Sequence, residues 1–332
     1  MASVELSGVF DRIEGQTPAV ETLVRALRSG RVHHAYRFEG PEGVGKELCA
    51  FALAQSLVCD RGGPIGCGEC SACRRAVRLS EEDPRVPQHP DVVLLERGLY
   101  PASALGTSSR ETTAIGVEQI RRMVLSRVGF PPHEARSLVF IIRDAHELSQ
   151  QAGNALLKTL EEPAAPVHFV LLTSRPNRLL DTIRSRTLAV RFGRLSDDLV
   201  ARILERHGKS PEHARLAEGS AHSALLLADE DVAKARAEFV KGAVEATRAP
   251  ELDAAIAFAG ARPDERDELL GNLLHLSRHF TLEARDAVVA DPVVAEAASQ
   301  RYRIVLEAVD AIERNAQPAL ALESMITRLR AV

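Results

Sequence analysis

The chain has 332 residues, of which 45% are hydrophobic and 27% are charged, and its formal net charge is -4. This length allows two or three domains with separate cores, and the composition is that of an ordinary globular protein. The slightly acidic balance excludes a protein whose whole surface grips nucleic acid, so we expect any DNA contact to be local.

Neither a secretory signal nor a membrane helix is predicted. The first residues have no cationic start followed by an apolar run, and no window approaches the roughly 18 uninterrupted apolar residues of a spanning helix. We therefore expect a cytoplasmic protein without a membrane partner.

The N-terminal part of the chain alternates apolar strands with amphipathic helices. Strands are predicted, in chain order, at HAYRFEG, DVVLLER, SLVFIIRDAH, VHFVLLTSRP and TLAVRF. Helices are predicted at TPAVETLVRALRSGR, KELCAFALAQSLVC, GVEQIRRMVLSRV and SQQAGNALLKTLEEP, the last stopped by Pro163. Such alternation predicts an α/β domain with a parallel sheet covered on both faces.

Only helical periodicity is found from Leu195 onward. We therefore expect three parts: an α/β domain over 1–192, a small helical domain over 193–230, and a larger all-helical domain over 231–332.

The loop after the first strand, in FEGPEGVGKELC, nearly matches the phosphate-binding pattern G-x-x-x-x-G-K-[S/T]. Gly40, Gly43, Gly45 and Lys46 would surround phosphates, but Glu47 stands where a hydroxyl would bind Mg²⁺. We expect ATP or ADP to bind weakly or not at all, and no Mg²⁺. The alternative is that the glycines only make a strand-to-helix turn.

The strand SLVFIIRDAH ends where an ATPase would carry its metal-binding Asp and water-activating Glu. Aligned with a D-E-A-H ending, Arg143 takes the first position and Asp144 the second; a shift by one places Ala145 at the base position. Neither alignment provides both the metal-binding Asp and the water-activating Glu. We hypothesise that Glu47 and Arg143 form an ion pair in place of the metal; the alternative is that both face solvent or other partners.

Four of the five cysteines, Cys59, Cys67, Cys70 and Cys73, follow the pattern C-x7-C-x2-C-x2-C. Four thiolates at these spacings predict a closed structural zinc site within an insert at about 59–73, without an open position for catalysis. Free or redox-active thiols are the alternative. Cys49 is expected in the core.

The segment TIRSRT places Arg184, Ser185 and Arg186 after an apolar strand. An arginine held on the edge of a sheet domain can reach the ATP of a neighbouring subunit and stabilise the charge that develops on the transferred phosphate. The alternative is a solvated basic turn.

These motifs together resemble one family. The resemblance is carried by GQTPAVETLVRAL, HAYRFEGPEGVGK, the four-cysteine insert, NALLKTLEEP, TSRPNRLLDTIRSRT and NAQPALALESMITRL, which span the chain almost end to end. They are similar to the delta-prime subunit of the bacterial DNA polymerase III clamp loader, within the AAA+ superfamily.

The resemblance implies an AAA+ P-loop domain, a helical lid domain and a collar domain that joins other subunits. It implies a role in DNA replication within a hetero-pentamer of motor and delta-type subunits, which opens the sliding clamp and places it on primed DNA. In that family the delta-prime subunit is a stator without its own hydrolysis, and it donates an arginine in trans, which falls on Arg186 here.

The departures from the motor subunits are Glu47, Arg143 and His222, the last standing where related ATPases carry an Arg that touches the γ-phosphate. Thr187 replaces a Cys that is usual in the family. Two alternatives stay open: an ATP-hydrolysing motor subunit that uses Lys46 and Asp144, and a DNA-binding module built on the zinc knuckle. The DNA-binding alternative is supported by arginines near the cysteine cluster, namely Arg61, Arg74, Arg75 and Arg78. It is weakened by nearby acidic residues, namely Asp60, Glu69, Glu81 and Glu82.

Overall fold

A five-stranded parallel sheet lies at the centre of the first of two compact units, residues 1–224 and 225–332. The computed structural model describes residues 8–108, 114–162, 166–249, 253–261, 266–314 and 316–332. The strands are Ala35–Glu39 (β1), Val92–Leu95 (β2), Leu138–Ile142 (β3), Val167–Thr173 (β4) and Leu188–Arg191 (β5). Their order across the sheet is β2-β3-β4-β1-β5.

The helices of the first unit follow the predicted alternation. They are Thr17–Arg28 (α1), Lys46–Val58 (α2), Ser71–Val77 (α3), Ala102–Leu105 (α4), Val117–Ile120 (α5), Gln150–Glu161 (α6), Asp181–Arg184 (α7), Asp197–Arg206 (α8) and Ala221–Leu227 (α9). A wider, π-helical turn continues α5 over Arg121–Leu125. α4 lies in a segment that we predicted as loop, and Pro163 lies outside the described residues.

The core of the sheet forms because several strands are apolar on both faces. β2 and β3 are buried at every position, as expected of strands covered by helices on both sides. Phe140 and Phe169 are paired in register on β3 and β4, and their rings stack at 5.0 Å. β5 is the exception: this edge strand pairs only with β1, and three of its four residues are exposed.

Among the described residues, the second unit contains four long helices and one short one, and aspartates cap the starts of two of them. They are Glu230–Arg248 (α10), Asp253–Gly260 (α11), Arg266–Ala287 (α12), Pro292–Glu313 (α13) and Pro318–Leu329 (α14). The Asp229 side chain accepts from the Val232 backbone at the start of α10, and Asp291 does the same at the start of α13. α12 packs against α13 over a core of buried Leu, Ile, Val and Ala side chains.

The division into two units leaves the predicted lid segment, 193–230, mainly within the first unit. Within the described residues, no helix combines the length and apolar character needed to cross a bilayer.

Candidate functional site

The sheet order brings four loops to one edge. The carboxyl ends of parallel strands face the same way, and β1, β4, β3 and β2 are consecutive neighbours. The glycine loop after β1, Thr173 at the end of β4, Arg143 after β3 and Glu96 after β2 therefore lie along one row. This row is where an α/β sheet places its ligands.

Lys46 directs its ammonium into its own loop. Its Nζ donates to the carbonyl oxygens of Gly40 at 2.7 Å and Pro41 at 2.5 Å, and the residue is 9% exposed. Burial lowers the pKa of Lys46, while the nearby carboxylates of Glu42 and Asp144 act in the opposite direction. In this arrangement the Lys46 ammonium is bound to carbonyl oxygens of the loop and is not directed at a phosphate.

Two contacts fix the shape of the glycine loop. The buried Gln16 side chain donates to the Val44 carbonyl at 3.0 Å and to the Gly193 carbonyl at 2.8 Å. The Ala221 backbone donates to the Gly43 carbonyl at 3.0 Å. A Cβ on Gly43 would lie 2.6 Å from the Cβ of His222, and the φ of Gly43 is +69°, so only glycine fits there.

His222, predicted where ATPases carry a γ-phosphate arginine, therefore lies against the glycine loop through its backbone. Sequence reasoning missed Gln16, whose amide ties this loop to the end of β5.

The predicted ion pair between Glu47 and Arg143 is present. Arg143 Nη2 contacts Glu47 Oε1, and Arg143 Nη1 contacts Glu96 Oε2 at 2.7 Å. The Arg143 side chain is only 23% exposed, and its hydrogen bonds to Glu47 and Glu96 raise its pKa against the effect of burial. One guanidinium thus lies between two carboxylates and offsets part of their negative charge.

The second carboxylate, Glu96, was not predicted. It directly follows β2, and Leu95 pairs with Ile142 in the β2–β3 register, so Glu96 lies beside Arg143. The only sequence signal for it is a carboxylate at the end of an apolar strand, which does not reveal the neighbouring strand.

The residues at this position do not provide a magnesium site. Mg²⁺ needs carboxylate oxygens that are not already neutralised, and one oxygen each of Glu47 and Glu96 is in contact with Arg143. A divalent cation at this position would also meet the positive charge of the guanidinium.

Asp144 occupies an uncommon backbone conformation, with φ 41° and ψ 50°. Burial raises the pKa of its carboxyl, Glu42 adds to that rise, and Lys46 opposes it. Asp144 is therefore a less available anion than an exposed Asp.

His146 lies next to Thr173, the last residue of β4. Its Nδ1 is 3.2 Å from Thr173 Oγ1. Burial, together with the positive charges of Arg175 and Arg178, lowers the pKa of His146 to about 4. The imidazole is thus neutral at pH 7.

The four predicted cysteine ligands are brought together. Their sulfurs all lie within 4.8 Å of one another, with Cys59 Sγ 3.7 Å from Cys67 Sγ and 3.9 Å from Cys70 Sγ. A tetrahedral zinc with Zn–S bonds of about 2.3 Å has sulfurs about 3.8 Å apart. The cluster is therefore able to bind a metal ion such as zinc.

The backbone also suits metal-bound thiolates. The Cys70 N–H points to Cys67 Sγ at 3.3 Å, and the Cys73 N–H to Cys70 Sγ at 3.4 Å. Cys49 lies apart from the cluster in the core, and burial raises the pKa of its thiol to about 12.

Arg186 lies at the end of α7, beside β5. Its Nε donates to Glu161 Oε1 at 2.7 Å, and its Nη2 contacts the same oxygen. Its Nη1 donates to the Thr182 carbonyl at 2.9 Å and to Ser185 Oγ at 3.2 Å. Sequence reasoning missed Glu161, although it belongs to the quoted NALLKTLEEP segment.

Thr187, which departs from the family pattern, has a structural role. Its buried hydroxyl donates to the Ile183 carbonyl at 2.9 Å and accepts from Arg37 Nη1 at 2.7 Å. These bonds hold the end of α7 against β1 and so position the adjacent Arg186.

A five-stranded parallel sheet with a glycine loop between β1 and α2 is the arrangement of a P-loop domain. A family model described as "DNA polymerase III, delta subunit" matches residues 15–196. That range is more than half of the chain, and the chain belongs to this family.

Several known DNA polymerase III subunits are similar to this chain in sequence. The DNA polymerase III subunit delta' of Bacillus subtilis is 31% identical over 69% of this chain and 64% of its own length. The subunit tau of Salmonella typhimurium is 33% identical over 80% of this chain, and the match spans 40% of that relative.

Among solved structures, a gamma subunit-related protein of Thermotoga maritima aligns with 94% of this chain and 99% of its own, at 18% identity and a TM-score of 0.47.

Proposed function

We propose that this chain is the non-hydrolysing stator subunit of a DNA polymerase III clamp loader. Its function is to donate Arg186 in trans to the ATP of a neighbouring motor subunit while the sliding clamp is placed on primed DNA. The observation that carries the proposal is the Arg143 guanidinium held between Glu47 and Glu96 at the expected metal position. A subunit without a metal site can still supply an arginine to the nucleotide of a neighbour.

The remaining assignments belong to the same proposal. Residues 193–230 are the lid domain and 231–332 the collar through which a hetero-pentamer assembles. The four cysteines hold a structural zinc ion, whose closed tetrahedral shell stabilises the insert without taking part in catalysis.

The zinc-knuckle alternative is not favoured by the geometry around the insert. Three of the arginines that support it pair with carboxylates: Arg61 with Glu69, Arg75 with Glu134 and Arg78 with Glu81. The carboxylates beside these arginines lower the net positive charge of this surface, and with it the attraction of DNA phosphates.

We expect Arg186→Ala to lower the ATPase rate of the complex, reconstituted with the motor subunits and stimulated by clamp and primed DNA, at least tenfold. Arginine fingers contribute a factor of about 10³ or more to phosphoryl transfer. Arg184→Ala is the matched control, since Arg184 is two residues away and pairs with Asp181 instead.

The purified chain should show no ATP turnover by itself. Turnover that is abolished by Lys46→Ala would establish the motor alternative. An unchanged rate for the Arg186→Ala complex would remove Arg186 from the mechanism.

A further inference from the structure

Arg186 is folded back onto its own chain. All three guanidinium nitrogens donate within the chain, to Glu161 Oε1, the Thr182 carbonyl and Ser185 Oγ. A guanidinium has only five N–H groups, and the fork formed by Nε and Nη2 is directed at Glu161. That fork cannot bind two oxygens of a phosphate until the Glu161 contact opens.

The main chain next to Glu161 is held by a contact with the start of β1. His34 Nε2 lies 3.0 Å from the Leu160 carbonyl oxygen, which ties the end of α6 to the start of β1. Arg186 and Glu161 both line a surface groove of about 640 Å³, together with His33, His34 and the half-exposed Leu188. The contact therefore lies at an open surface where a neighbouring subunit can reach it.

The contact is weak enough to be exchanged. The Arg186 side chain is 32% exposed and that of Glu161 46%. An ion pair this accessible shifts an equilibrium by only about 1.4- to 5-fold. A polyphosphate carries several negative charges and more acceptor oxygens than one carboxylate, so it competes effectively for the same guanidinium.

We propose that Glu161 is a positioning residue that holds Arg186 folded back until the phosphates of a neighbouring subunit's nucleotide displace it. This inference rests on the proposed function, because it assigns a resting partner to the arginine that acts in trans. Glu161 thereby limits how often Arg186 points outward in the absence of a correctly placed nucleotide.

The first test is the ATPase rate of the reconstituted complex with Glu161→Gln, which keeps the shape of the side chain and removes its charge. We expect kcat to rise about two- to fivefold, with KM for ATP changed by less than twofold, since Arg186 acts on the transition state. Glu162→Gln is the matched control and should behave as wild type. In the Arg186→Ala background, Glu161→Gln should have no effect, which a merely structural role of Glu161 would not produce.

The second test observes Arg186 directly in the full chain by NMR. The Nε–H signal of Arg186, assigned by its loss in Arg186→Ala, should move upfield in Glu161→Gln and stay in place in Glu162→Gln. An unmoved signal overturns the inference, whatever the ATPase result.

The two hypotheses fail in different ways. If Arg186→Ala leaves the rate of the complex unchanged, the proposed function fails. If Arg186→Ala lowers the rate but Glu161→Gln leaves kcat at or below the wild-type value, only the role of Glu161 is overturned.

Discussion

Arg143 is the residue on which the proposed lack of ATP hydrolysis mainly rests. Its guanidinium lies where the sequence alignment places a metal-binding Asp, and it contacts Glu47, which stands where a metal-binding hydroxyl is expected. A permanent cation supplied by the chain offsets the local carboxylates without a bound ion. Glu47 without Arg143 would face Glu96 with no cation between the two carboxylates.

Replacing Arg143 should destabilise the protein. We expect Arg143→Met to lower the free energy of unfolding by about 1–2 kcal/mol, because Glu47 and Glu96 then repel each other and lose their common donor. The partial exposure of both carboxylates limits the effect. Urea unfolding measures it, with Arg78→Met as the control at an exposed pair. Equal stability of the two variants would show that the Arg143 network is energetically neutral.

The neutral His146 predicts a pH dependence of stability. Its pKa is lowered from 6.5 to about 4 by the fold, so the unfolded chain binds a proton more readily. The stability from the neutral imidazole is fully present above pH 6.5 and is lost as the pH falls from 6.5 towards 4.

We expect the free energy of unfolding to fall by about 2 kcal/mol over this pH range. The size of the His146 pKa shift permits a loss of this order, and the partial exposure of the imidazole keeps the loss from being larger. The measurement is the free energy of unfolding between pH 7 and 4 for wild type and His146→Gln. The variant should lose less stability over this range, and parallel curves would contradict the assignment.

Among the elements of the sheet domain, helix α2 is the one to which the four-cysteine insert is attached by the following hydrogen bonds. The Gly66 N–H donates to Ser56 Oγ at 2.9 Å, and Gln55 Nε2 donates to the Cys73 carbonyl at 2.8 Å. The insert therefore rests on a helix of the sheet domain, and we expect its own short segments to depend on the proposed metal ion for their shape.

Removing the metal ion should loosen the insert without unfolding the rest of the chain. After chelation, hydrogen exchange should increase over 59–73, while the strands stay protected by the sheet core. A disulfide-forming thiol reagent should then react quickly with four thiols and slowly with Cys49, whose burial and pKa of about 12 disfavour the thiolate. One equivalent of zinc in the untreated protein is the companion measurement, and global unfolding on chelation would contradict the prediction.

At the scale of the whole molecule, the chain divides into a unit with the sheet and a unit made of helices. Each has its own hydrophobic core: one around the sheet and one among α10 to α14. Separate cores allow separate roles, which fits the proposed division between a P-loop domain and a collar for assembly.

We expect a chain of residues 1–228 to fold, bind one zinc ion and fail to join the complex. The sheet domain keeps its core, since the second core begins in α10, and the collar that we propose for assembly is lost. Size-exclusion chromatography with the other subunits measures assembly, and zinc content together with cooperative melting serves as the folding control. Full incorporation of the shortened chain would exclude the collar role.

The sequence by itself determined the features whose signals are local. Alternating apolar strands and amphipathic helices predicted the parallel sheet, since periodicity is a property of short segments. The cysteine cluster was predicted because three of its members lie within seven residues, and the glycine loop was predicted because strand, loop and helix are consecutive.

Only the tertiary structure decided which distant residues meet. Glu96 joins Arg143 because β2 lies beside β3, and Glu161 joins Arg186 because the end of α6 lies beside the end of α7. The Glu47–Arg143 ion pair was expected because two opposite charges fall at one predicted site. The additional contact of Arg143 with Glu96 was not expected, because it depends on strand order. Hydrophobic periodicity reports which residues are buried and carries no information about neighbouring strands, so these contacts follow from the packing of the whole domain.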